Sequence, residues 1–136
     1  LEGWKRLVNI VPSPHNGITF DPGVTREIGE DPVEVCRWLC ERDCVDHAHY
    51  RNVEMRVARE QYTEVFLDEG EVDMFAVMRE LVRQRYSGLI YPEHPPQIDA
   101  DRENSFPGAG GAYCGFAYTV GYARAMLQAA TAVEGV

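Results

Sequence analysis

Side chains of the types that hold first-row divalent metals fall at three places in this sequence: Asp21, His47 with His49, and Glu93 with His94. A mixed carboxylate and imidazole set suits Mn²⁺, Fe²⁺, Co²⁺ or Zn²⁺ better than Ca²⁺. His94 is also a candidate general acid or base, because an imidazole titrates near neutral pH. His47 and His49 are two residues apart and share one face of a strand. One of them reads as a ligand and the other as a packing residue or a support behind the ligands. Arg51 follows closely, and its guanidinium suits either a fork onto a substrate carboxylate or a pairing with a loop acid. Tyr113 and Tyr118 read as ligand contacts or as packing near a helix start. Each residue alone has a plain structural role open to it, and Asp21 before Pro22-Gly23 equally suits a turn.

The chemistry requires these residues to meet, which depends on the elements carrying them. Apolar residues at Leu1, Trp4, Leu7, Val8 and Val11 predict a helix over 1–11, ended by Pro12 and Pro14. A strand follows at 18–21, broken by Pro22-Gly23. Asp31-Pro32 starts a second helix to about residue 42, with Val33, Cys36, Leu39 and Cys40 on one side. The next strand covers 45–50, and 51–70 reads as a long connection with a short apolar piece at Tyr62, Val65 and Phe66. Asp73 caps a third helix whose Met74, Val77, Met78, Leu81 and Val82 form one apolar stripe. Residues 88–91 form a third strand, 95–111 a polar loop long enough to suggest function, and 116–133 a last helix. The order is α-β-α-β-α-β-α, which implies right-handed crossovers and three parallel neighbouring strands in chain order with helices on one side. In such architectures the working residues lie at the C-terminal ends of strands. All three strand ends here carry a ligand type, and neighbouring strands lie only about 4.8 Å apart.

Composition narrows the rest. The 136 residues allow one domain and fall short of the ~250 of a full (β/α)₈ barrel. Lys plus Arg is 13 and Asp plus Glu is 22, so the net charge is 13 − 22 = −9, which disfavours nucleic acid as a partner. No apolar run suggests a membrane span. The chain opens on Leu1 and not on methionine, which suggests a processed or partial chain. Cys36, Cys40 and Cys44 repeat at every fourth residue and read as small buried side chains, with a soft-metal site the alternative. Unpaired cysteines of this kind suggest a reducing, cytoplasmic setting.

His49-Tyr50-Arg51-Asn52-Val53 and Tyr91-Pro92-Glu93-His94 resemble two motifs of the mannonate dehydratase family, the first its His-Phe-Arg-Asn/Asp-Val run and the second its Arg-Pro-Asp-His strand end. The run from Phe66 to Met74 and the run Ser13-Pro14-His15-Asn16-Gly17-Ile18-Thr19-Phe20 resemble two further family segments. The resemblance implies an α/β fold: the C-terminal βα units of a xylose-isomerase-like TIM barrel, about three of the eight, as a single partial domain over 1–136. It implies a metal-dependent hydro-lyase acting on a sugar acid, D-mannonate, to give 2-keto-3-deoxy-D-gluconate. The implied cofactor is a divalent metal, Mn²⁺ first, with Fe²⁺, Co²⁺ or Mg²⁺ as alternatives. The implied ligands are Asp21, His49 and Glu93 plus a histidine from an earlier strand. His94 and Arg51 are the implied catalytic residues, with Arg51, His47 and Tyr113 expected on the substrate. The family commonly has cysteine at the position of Asp21 and aspartate at that of Glu93.

A partial barrel leaves sheet edges open. A companion chain or fragment completing the barrel, or an oligomer, is therefore expected. Two rivals remain: a sugar isomerase or epimerase on the same barrel, and a non-catalytic partial barrel acting as an oligomeric or binding module.

Overall fold

The computed structural model describes residues 1–104 and 112–136. In chain order the elements are α1 (Glu2–Ile10), β1 (Ile18–Phe20), α2 (Pro22–Glu27), α3 (Pro32–Cys40), β2 (Val45–Tyr50), β3 (Asn52–Val57), β4 (Gln61–Val65), α4 (Met74–Arg83), β5 (Ile90–Pro92), α5 (Asp99–Asn104) and α6 (Tyr113–Glu134). The fold is α/β. Strands β1, β2 and β5 form one sheet in that order, with both pairings parallel. This matches the expected arrangement of three parallel neighbours in chain order.

Local chemistry explains most of the helix starts. Asp31 caps α3 by accepting from the Val33 and Glu34 amides, with Pro32 at the first helical position. Asp73 caps α4 by accepting from the Ala76 amide at 2.8 Å. Asp21 does the same for α2, at 2.9 Å from the Val24 amide, so Pro22-Gly23 opens a helix where a break was expected. Helix α6 has no capping side chain of its own. Buried Asp101 of α5 supplies one, accepting from the Cys114 and Gly115 amides at 2.7 and 3.0 Å. Burial alone would raise the Asp101 pKa, but these backbone donors outweigh it and hold the carboxyl below its usual range.

The core gathers Phe20 of β1, Ala48 and Tyr50 of β2, Val35, Cys36 and Leu39 of α3, and Met74, Val77, Met78 and Leu81 of α4. The stripe expected of α4 is therefore buried, and Tyr50 fixes the start of that helix by donating from its hydroxyl to the Met74 carbonyl. Ion pairs lace three helices together. Buried Glu80 of α4 holds Arg37 of α3 at 3.0 Å and Arg83 at 3.1 Å, while Arg79 and Arg83 both reach Glu134 of α6. Helix α3 ends at Cys40, so Cys44 lies beyond it and the expected three-cysteine helical stripe stops at two. All four cysteines are unpaired. Among the described residues no helix is long and apolar enough to cross a membrane.

The segment read as a long connection is instead an antiparallel hairpin. Strands β3 and β4 pair from Asn52↔Val65 to Val57↔Gln61 as a separate two-stranded sheet. The loop expected over 95–111 contains the short helix α5, and its residues 105–111 lie outside the described residues.

Candidate metal centre

Strand β2 ends in His49, Tyr50 and then Arg51, and the pleat sends these side chains to opposite faces. Ala48 and Tyr50 enter the core, leaving His47 and His49 together on the other face. Register then brings the neighbouring strand ends alongside. Phe20 pairs with Ala48, so Asp21 lies one residue past β1 near His49, and His49 pairs with Tyr91, two residues before Glu93.

The result is a convergence of the three expected ligands. One ligand atom from each of Asp21, His49 and Glu93 lies within 4.8 Å of the others. His49 Nδ1 is 3.6 Å from Asp21 Oδ2 and in close contact with Glu93 Oε1. Donors sharing one ion at 2.0–2.2 Å bonds lie at most about 4.4 Å apart, so the cluster is close to the span of a single ion's ligand shell. Asp21 divides its two oxygens: Oδ1 caps α2 and Oδ2 faces the cluster. The turn role and the ligand position, set as alternatives in the sequence, thus coexist on one carboxylate.

Arg51 takes one of its two expected partnerships. It is 4% exposed, and its three nitrogens are spoken for: Nε reaches Asp21 Oδ2 at 3.0 Å, Nη1 reaches Glu64 at 2.9 Å and Nη2 reaches Glu27 at 2.7 Å. Burial alone would lower its pKa; the Asp21 and Glu27 carboxylates more than reverse this and hold it above its ordinary value. Of the two partnerships open to Arg51, acids of the protein itself occupy the donor fork here. Three carboxylates (Asp21, Glu27, Glu64) meet the guanidinium and a fourth, Glu93, meets His49, a formal −4 + 1 = −3 for the cluster with neutral histidines. A divalent cation would offset that surplus, so the donor set fits a metal in both type and charge.

His94 stands beside the cluster at φ +49°, with Nε2 3.6 Å from Glu93 Oε1. The His47 ring lies edge-on to His49, with centroids 5.0 Å apart, and Tyr91 flanks both at 6.3 Å. Tyr91, Glu93, His94, Gln97 and Phe116 line a cleft of about 420 Å³ that opens next to the ligand atoms. Tyr113, the first residue of α6, is 54% exposed. Tyr118 donates to Asp68 at 2.6 Å, and that bond pushes its pKa up to about 12.

Two residues that sequence reasoning passed over complete the frame. Glu64 belongs to the unforeseen hairpin. Asn52, 1% exposed, clamps the loop after it: its amide nitrogen donates to the Leu67 and Val72 carbonyls, and its oxygen accepts from the Val53 and Val72 amides. Gly70 packs so closely that an added Cβ would sit 2.1 Å from Asn52 Oδ1. The two motifs carrying Asn52 and Gly70 are therefore halves of one joint.

The family model described as "D-mannonate dehydratase (UxuA)" matches residues 1–135. A mannonate dehydratase of Streptococcus suis is 30% identical over 110 residues, which cover 80% of this chain and 30% of that protein. One from Enterococcus faecalis is 34% identical over 118 residues, covering 81% and 30%. The crystal structure of mannonate dehydratase from S. suis serotype 2 superposes with a TM-score of 0.85 at 26% identity, covering 98% of this chain and 38% of that one. A xylose isomerase domain protein from Planctomyces limnophilus shares the fold at a TM-score of 0.68 and 20% identity, over 92% of this chain and 42% of that one. The chain spans about a third of the length of the relatives it matches, and its three parallel strands are an incomplete set of TIM-barrel βα units. With nearly its whole length matched, the chain belongs to the D-mannonate dehydratase (UxuA) family.

Proposed function

We propose that this chain carries the metal-binding wall of a sugar-acid hydro-lyase that converts D-mannonate to 2-keto-3-deoxy-D-gluconate and water. The observation carrying this reading is the meeting of Asp21, His49 and Glu93 from three strand ends, with His94 alongside, in a chain of this family. These three residues would hold the ion, Mn²⁺ first and Fe²⁺, Co²⁺ or Mg²⁺ as alternatives. When bound, the ion supplies Lewis-acid stabilisation of negative charge developing on substrate oxygens.

The reaction removes a proton from the carbon beside the carboxylate and a hydroxyl from the next carbon, and the enol formed becomes the 2-keto acid. His94 is the chain's proton carrier, working through Nε2, the ring nitrogen nearer Glu93. Arg51 holds Asp21 in place from behind, bonded to the same oxygen that faces His49. His47 and Tyr113 are the proposed substrate contacts, with His47 beside the Tyr91 ring, and the cleft that Tyr91 and Phe116 line has room for a six-carbon acid.

The remaining wall must come from elsewhere. Among the described residues strands β1 and β5 each have one neighbour, whereas a TIM barrel closes with eight strands. Leu7, Ile10 and Val11 along α1 are 52%, 74% and 61% exposed. A companion polypeptide completing the barrel would cover the strand edges and bring the further histidine that the family resemblance implies. The unpaired cysteines fit a cytoplasmic setting.

The test supplies Mn²⁺ and D-mannonate to this chain, alone and combined with the unmatched portion of the S. suis enzyme, and follows the keto acid. Product from the combined assembly, lost in His94→Gln while Mn²⁺ is retained, is expected. A combined assembly that binds Mn²⁺ but forms no keto acid would overturn the reading. Ketose formation in its place would favour the isomerase alternative.

A further inference from the structure

One carboxylate oxygen on the hairpin touches both halves of the site. Glu64 Oε1 of β4 lies 2.9 Å from Arg51 Nη1 and 2.9 Å from His94 Nδ1. Arg51 in turn bonds Asp21 Oδ2 at 3.0 Å, so Asp21, Arg51, Glu64 and His94 form one unbroken chain of contacts. His94 needs such a hold. It is at φ +49°, a left-handed conformation that few non-glycine residues adopt, and its side chain is 52% exposed. Packing alone does not orient a ring so open to solvent.

We infer that Glu64 is a positioning residue for His94: it accepts from Nδ1–H, fixes that tautomer, and turns Nε2 toward Glu93. A neutral imidazole carries one proton, and a carboxylate within hydrogen-bond distance of one nitrogen draws the proton to that nitrogen. With Nδ1 protonated, Nε2 keeps its lone pair and is the atom free to take a proton. The guanidinium of Arg51 holds Glu64 in place, so the hairpin works as a bracket attached to the metal wall. The inference rests on the proposed role of His94 as proton carrier.

The experiment reads the tautomer directly, by two-bond ¹H–¹⁵N correlation of the histidine rings in this chain above their titration range. It requires neither metal nor turnover, so its outcome is separate from that of the dehydratase assay. Wild type should show His94 with Nδ1 protonated. Glu64→Ala should move most of the population to the Nε2-protonated form, while Glu64→Gln, whose carbonyl can still accept, should retain the wild-type pattern. Backbone amide shifts of residues 52–65 check that the hairpin persists in each variant. An Nε2-protonated His94 in wild type, or an unchanged tautomer in Glu64→Ala, would overturn the inference. Should Glu64→Ala lose the hairpin, Glu64→Leu is the second variant, with the same expected and contrary results.

Discussion

Replacing Arg51 by methionine isolates the buried ion cluster from the rest of the fold. Methionine keeps much of the volume and removes the charge, leaving Asp21, Glu27 and Glu64 without their shared cation. Removing one partner of a buried ion pair costs about 3–5 kcal/mol, chiefly because the other charge stays buried and unmatched. Here the three acids differ in exposure. The Asp21 side chain is 9% exposed, that of Glu27 16% and that of Glu64 34%, so water relieves Glu64 more than Asp21. That discount points to the lower end, about 3 kcal/mol. For a chain of this length it corresponds to a fall in Tm of roughly 10 °C. Arg51→Lys keeps the charge but not the three-way fork and should lose about 1–2 kcal/mol. Urea unfolding followed by circular dichroism at neutral pH reads both, through the midpoint at constant slope. A loss below about 1 kcal/mol for Arg51→Met, the range of exposed surface pairs, would refute the reasoning.

Gly70→Ala should destabilise by about 1–3 kcal/mol, because its Cβ would meet Asn52 Oδ1 and the clamp must give up bonds to yield; the urea midpoint checks it. Asp73→Ala removes the only side-chain bond to the first turn of α4 among those described and should cost about 1 kcal/mol in the same assay. Asp101 has a depressed pKa in the fold, so its contribution is present above the unfolded value of about 3.9 and is lost as pH falls through the folded one. Wild type should therefore lose stability over that acid range more steeply than Asp101→Asn, and equal slopes in urea titrations between pH 2 and 5 would show that the α6 cap does not depend on the charge.

The parts of the fold legible in the sequence were those with a strong local signal. Apolar periodicity placed α4, and Asp31 and Asp73 announced their helices as caps. The alternation of helix and strand gave three parallel strands, the rule that working residues lie at strand ends picked out Asp21, His47 with His49, and Glu93 with His94, and only the family resemblance narrowed these to Asp21, His49 and Glu93 as ligands. The hairpin was missed for physical reasons. Most of its residues are exposed or partly exposed on both faces, so the strands carry little apolar contrast, and Arg59 takes the left-handed turn position where glycine or asparagine is the usual signal. Helix α2 was missed although Asp21-Pro22 repeats the Asp31-Pro32 signal, because Gly23 read as a breaker. Gly23 is instead tolerated inside the helix, where the Arg51 guanidinium comes within 3.0 Å of an added Cβ. The fate of Arg51 depended on both unforeseen elements, since Glu27 lies on α2 and Glu64 on β4. Its sequence position alone could not choose between substrate and protein acids.

Calorimetric titration of this chain with Mn²⁺ shows whether Asp21, His49 and Glu93 form one divalent-cation site. Wild type should bind one equivalent and His49→Ala none, because the imidazole is the donor between the two carboxylates. Equal binding by both proteins would show that His49 is not a ligand and that the three residues do not form the site.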